Sequence, residues 1–165
     1  MSDHERAAEL VTLPEAESAR QELLALVRRN AGDPLIHYFC ACQHDGMGLE
    51  TEAVPLYEQA LALGLPEPKR EAAMTNLGST YRCIGEYERA EAVLKQATET
   101  YPKNGAVRAL LAITLYNRKK HREATELLVQ ELVRSSEDPH IRAYSKPLSF
   151  YADHLDDIWA NGENG

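Results

Sequence analysis

The side chains best suited to chemistry gather in one short stretch of this sequence, between His37 and Asp45. On a helix, His37, Cys40 and His44 stand at i, i+3 and i+7, so they share a face, and imidazole and thiolate are donors that zinc prefers. Cys42 adds a second thiol, and Asp45 a carboxylate beside His44. A metal or thiol enzyme using His37, Cys40, Cys42 or His44 is therefore one reading. Helical geometry argues against it. Residues two apart point about 200° away from each other, so Cys40 and Cys42 cannot hold one ion or close a short disulfide. Adjacent residues such as His44 and Asp45 also diverge, which leaves no oriented acid–base dyad. A phosphate-binding glycine loop, a nucleophile elbow and an H-E-x-x-H motif are all missing from the sequence. Packing of one inward helix face accounts for His37, Cys40 and His44 without chemistry. The expectation is a protein that is not an enzyme, with no catalytic residue, no metal and no cofactor.

The surrounding chain of 165 residues fits one domain with a real core. Its many Ala, Leu and Glu residues and its two Phe point to helices, hence an all-α class. Twenty-six acidic against eighteen basic residues give a formal charge of -8, which repels nucleic acid and anionic lipid. The compact basic run Arg118, Lys119, Lys120, His121 and Arg122 lacks interleaved aromatics and reads as a solvated turn. No apolar stretch approaches the roughly 20 residues of a membrane span, and the N-terminus has no signal pattern. Three cysteines without secretory context are expected as reduced thiols in a cytoplasmic protein.

Internal repeats organise the chain. EAAMTNLGSTYRCIGEYERAEAVLKQATETYPKN, 34 residues from Glu71, reads as helix, Gly-bearing turn and helix. Small Gly78 and Ala90 let two helices approach, large Leu77, Tyr81 and Leu94 fill the space beside them, and Pro102 ends the second helix. A shift of 37 residues upstream aligns a copy from Pro34, and one of 34 downstream aligns a looser copy from Gly105, in which Glu131 replaces a small residue. Ala19, Leu23 and Leu26 mark a preceding half repeat. Asp33–Pro34 and Asp138–Pro139 are helix starts, Thr12 with Glu15 suggests a capping box, and Pro55 places the start of its helix near Thr51. Leu148, Tyr151, Ala152, Leu155 and Ile158 form an amphipathic stripe after Pro147. The expected organisation is a disordered segment 1–11, one domain over 12–160 and a disordered tail 161–165. Within the domain lie a half repeat 14–30, repeats 34–66, 71–104 and 105–137, and a final helix 147–159.

Leu77, Gly78, Tyr81, Gly85, Tyr87, Ala90, Leu94, Ala97 and Pro102 fall where the tetratricopeptide motif places such residues, and the chain resembles that family strongly. The runs HDGMGLETEAVPLYEQALALGL and FYADHLDDIW resemble a group of short bacterial tetratricopeptide proteins. The resemblance implies a right-handed helical-hairpin solenoid of about three hairpins, with an N-terminal helix and a C-terminal capping helix. It also implies a concave groove lined by Tyr38, Cys42, Asn76, Ser79, Arg82, Ile113, Tyr116 and Asn117, in which Tyr38, Arg82 and Tyr116 are the expected anchors for a protein or peptide partner. Only Asn76 matches the Lys, Asn and Arg clamp by which chaperone-binding relatives hold a peptide carboxylate; Tyr38, Cys42, Ala106 and Leu110 occupy its other positions. A second reading is a homodimer whose interface uses Tyr144, Tyr151 and Trp159.

Overall fold

The computed structural model describes residues 1–158, and among these every regular element is an α-helix. The chain divides into two compact units, Met1–Lys103 and the part from Asn104 onward. The expected span 12–160 thus divides after Lys103, within a repeat array whose contacts are local by construction.

The first unit holds α1 (Asp3–Leu10), α2 (Ala16–Arg29), α3 (Pro34–Gly46), α4 (Glu50–Ala62), α5 (Lys69–Cys83) and α6 (Tyr87–Thr100). The segment expected to be disordered contains α1. Ser2 and Glu5 form a reciprocal capping box at its start, and Arg6 donates two hydrogen bonds of 2.7 Å to the Glu22 carboxylate on α2. Ala7 and Leu10 close a core with Ala19, Leu23 and Leu26 of α2 and with Ile36 and Cys40 of α3. The half repeat is therefore a full helix pair. Thr12 makes no capping box, since its hydroxyl donates to the Glu9 carbonyl and Glu15 caps α2 without a side-chain hydrogen bond.

A second core joins α3 to α6 through Tyr38, Ala41, Ala53, Tyr57, Ala60, Ala73, Leu77, Tyr81 and Ala90. The Asp33 carboxylate accepts from the Leu35 and Ile36 amides with Pro34 at the first helical position, as the sequence suggests. Helix α4 starts at Glu50, one residue before the expected position, and Pro55 lies on its solvent face with Thr51, so the Thr51 carbonyl that loses its amide partner can bond water. Where α5 crosses α6, a Cβ added to Gly78 would stand 2.5 Å from Leu94.

The second unit holds α7 (Gly105–Asn117), α8 (His121–Ser135), α9 (Pro139–Ala143) and α10 (Ser145–Asp153). Val107, Leu111, Ala112, Leu115, Ala124 and Ala152 are its buried apolar residues. Glu131 replaces the small residue that is Ala60 or Ala97 in the earlier hairpins. It fits because Gly105 leaves room for its carboxylate, which Arg108 and Arg134 hold. The turns inside the hairpins each need a left-handed residue: Gly48 at φ +73° and Gly85 at φ +83°, but Lys119 at φ +64° in the third. The final helix begins at Ser145, two residues ahead of Pro147, and ends at Asp153, short of the expected 159. The short α9, started by Asp138, precedes it. Trp159 and the tail 161–165 lie outside the described residues.

Candidate partner-binding site

Helix α3 sends its chemically capable residues to two different cores. Cys40 lies fully buried against α1 and α2, and this burial pushes its thiol up to about 12. His44 Nδ1 donates to the Cys40 carbonyl at 2.8 Å, and His37 Nδ1 to the Asp33 carbonyl at 2.9 Å. Both imidazoles are thereby tied to their own helix, and no group of three metal-donor side chains forms among the described residues. Cys42 faces the other way, toward Tyr57. Burial raises its thiol above the ordinary range as well.

Cys42 and Asn76 belong to a polar lock between α3, α4 and α5. The Tyr57 hydroxyl donates to Asp45 Oδ2 at 3.2 Å and accepts from the Asn76 amide at 3.1 Å. Thr80 reaches Asp45 Oδ1 at 3.3 Å and the Asn76 carbonyl at 2.7 Å. Burial pushes the Asp45 carboxyl above its usual value, against the lowering effect of these two hydroxyls. Sequence reasoning saw Asp45 as a carboxylate beside His44 and missed this role, whose signal was Tyr57 at a position that favours any large residue. Tyr38 is a core residue, packed edge-on against Phe39 and beneath the Lys69 ammonium, so it does not stand out as an anchor. Ser79 and Arg82 are partly exposed, and Arg82 Nε, itself buried, has no hydrogen-bond partner among the described residues.

In the second unit the expected groove residues are open. Ile113 is 43% and Tyr116 61% exposed, and the Tyr116 ring tilts onto His121 at 4.8 Å between centroids. Together with Ala112, Ala124, Thr125 and Leu128 they line an apolar pocket of about 370 Å³ between α7 and α8. Asn117 Oδ1 is buried without a hydrogen-bond partner among the described residues. Tyr144 and Tyr151, the proposed self-association residues, are also exposed, and Tyr151 stacks edge-on with Phe150.

The hairpins, the small residues at helix crossings and the glycine-type turns define a helical-repeat protein. The family model described as Tetratrico peptide repeat matches residues 34–155, and the chain belongs to that family. Among solved structures, the fold is similar to one titled "MamA RS-1 ArsTM double mutant", at 18% identity and a TM-score of 0.64, covering 96% of this chain and 99% of that one. No curated protein matches. No helix among the described residues is long and apolar enough to cross a membrane.

Proposed function

We propose that this protein is a non-catalytic cytoplasmic module that binds a peptide or protein surface through the groove-register residues of its first helices. Ser79 and Arg82 serve in the first unit, and Ile113, Tyr116 and Asn117 in the second. The observation that carries this reading is the distribution of exposed apolar side chains. In the first unit the large hydrophobics other than Met1 and Ile84, which lie outside the helices, are covered at least in part, whereas α7 and α8 leave Ile113, Tyr116, Leu128 and Leu132 open. Such a cluster of aromatic and branched residues suits an interaction surface. Tyr38, Cys42 and Asn76 support the surface from below, through the core and the polar lock. In a pulldown from a lysate of the source organism, a partner held by the wild-type chain is released by Tyr116→Ala and by Arg82→Ala. Retention by the double variant would remove the groove assignment.

The exposure of Tyr144 at 65% and Tyr151 at 51% favours a second reading, a homodimer through α10. Light scattering that shows only monomer at micromolar concentration excludes it.

A further inference from the structure

The third hairpin repeats the first at an offset of 71 residues, Pro34 matching Gly105, yet matched positions meet different surroundings. In the first hairpin Ala41, Ala53, Val54 and Tyr57 are buried, and α5 lies over them. At the matched positions in the third, Ala112, Ala124, Thr125 and Leu128 line the open pocket. Ile113 stands there for Cys42 and Tyr116 for Asp45. Tyr57 is 0% exposed and its counterpart Leu128 is 44%. Helix α10, the next in register, lies along α8 through hydrogen bonds from Gln130 and Arg122 to Asp153, and no residue of α10 lines the pocket.

We infer that this pocket is the seat of an amphipathic helix from a second protein, apolar along one stripe and acidic at its C-terminal end. The matched seat in the first hairpin already holds a helix, so the shape suits one. Its lining has changed from a carboxylate and a phenol to Tyr116 and Leu128, so the incoming helix must be apolar where α5 presents Asn76 and Thr80. Polarity follows from α5 as well: Thr80, late in that helix, meets Asp45 near the end of α3, which puts the helix C-terminus beside the turn between the hairpin's two helices. In the third hairpin that turn is the basic run Arg118–Arg122, and His121 forms part of the pocket wall. A helix C-terminus carries partial negative charge, and acidic side chains in its last turn add to the attraction. Arg122 already pairs with Asp156 at 3.4 Å, an acidic contact of the same kind.

This inference rests on the interaction-module reading and has its own test. The probe is a blocked alanine-rich peptide of about 25 residues, past the marginal length for an isolated helix, with Leu at i, i+4 and i+7, Asp in its last turn and a helicity matched to its Lys-ended partner by circular dichroism. Fluorescence anisotropy at low salt should show it binding about tenfold tighter than the same peptide ending in Lys. Leu128→Asp and Ile113→Asp should each weaken it by about tenfold or more, with unchanged circular dichroism. Equal binding of the two peptides, or binding indifferent to both substitutions, overturns the seat. So does a dimer of the unliganded protein that both substitutions dissolve, because the occupant is then a second copy. A lysate partner lost on Tyr116→Ala but kept by Leu128→Asp defeats this seat while the groove reading stands.

Discussion

Substitution of Gly78 by Ala tests whether small residues at the helix crossing set the packing of the second hairpin. In an exposed helix interior, this change stabilises by about 1 kcal/mol, because Ala loses less backbone freedom than Gly. Here the new Cβ would lie 2.5 Å from both Cγ and Cδ2 of Leu94, where ordinary contact begins at 3.4 Å. Cγ is no flexible tip, and Leu94 is fully buried, so α5 and α6 must separate by most of an ångström. Overpacking of this kind costs about 1–3 kcal/mol. The clash therefore outweighs the helix propensity, and the expected net loss is about 1 kcal/mol for Ala, with a larger loss for Val. Urea unfolding followed by far-UV circular dichroism measures it. Leu94→Ala alone should cost about 2–5 kcal/mol. In the double variant the added methyl occupies part of the vacated space, so the two losses sum to more than the double variant shows, by about 1–2 kcal/mol. A stabilised Gly78→Ala that adds independently to Leu94→Ala would refute the close-approach reasoning.

Three further outcomes follow from local geometry. Lys119→Gly relieves a left-handed residue where both sister turns use glycine, and thermal melting should show a gain of about 1 kcal/mol. Asp45 holds its proton more tightly folded than unfolded, so its ionisation costs stability as pH rises from the unfolded value near 3.9 through the raised folded one. Asp45→Asn keeps an acceptor and escapes that cost; its melting advantage over wild type should widen from about pH 4 to pH 7, and a constant gap would contradict the assignment. Under native conditions at neutral pH, a thiol reagent should label exposed Cys83 and spare Cys40 and Cys42, whose thiols burial raises; mass spectrometry of the digest locates the label.

The hairpins were legible because their signal stays within one repeat: Gly78 of α5 packs on Leu94 of the very next helix, and the caps Asp33 and Asp138 act within a turn of their own positions. Helix α1 was harder to see, since only Ala7 and Leu10 of its eight residues are buried. The pattern S-x-x-E at Ser2–Glu5 was its available signal, together with the apolar stripe of α2 that needed cover. Tyr38 occupies a groove register by count, but the neighbouring Phe39, Tyr57 and Lys69 bury it, an effect of tertiary contacts that spacing cannot express. The open pocket was illegible for a related reason. Whether Leu128 is covered depends on where α10 comes to rest, not on the residues of the third hairpin.

The lock formed by Asp45, Tyr57, Asn76 and Thr80 limits how this array could be recombined. Repeat proteins are often treated as interchangeable bricks, but the joint between the first and second hairpins works only with its own mate. Grafting the third hairpin in place of the first would set Tyr116 and Leu128 against Asn76 and Thr80, stranding an amide beside hydrocarbon. Duplicating the first hairpin at the end of the chain would leave a carboxylate and a phenol without their closing amide. Order along the chain is thus written into side-chain chemistry as well as into the linkers, and gene-level shuffling of these units would be filtered by that single joint.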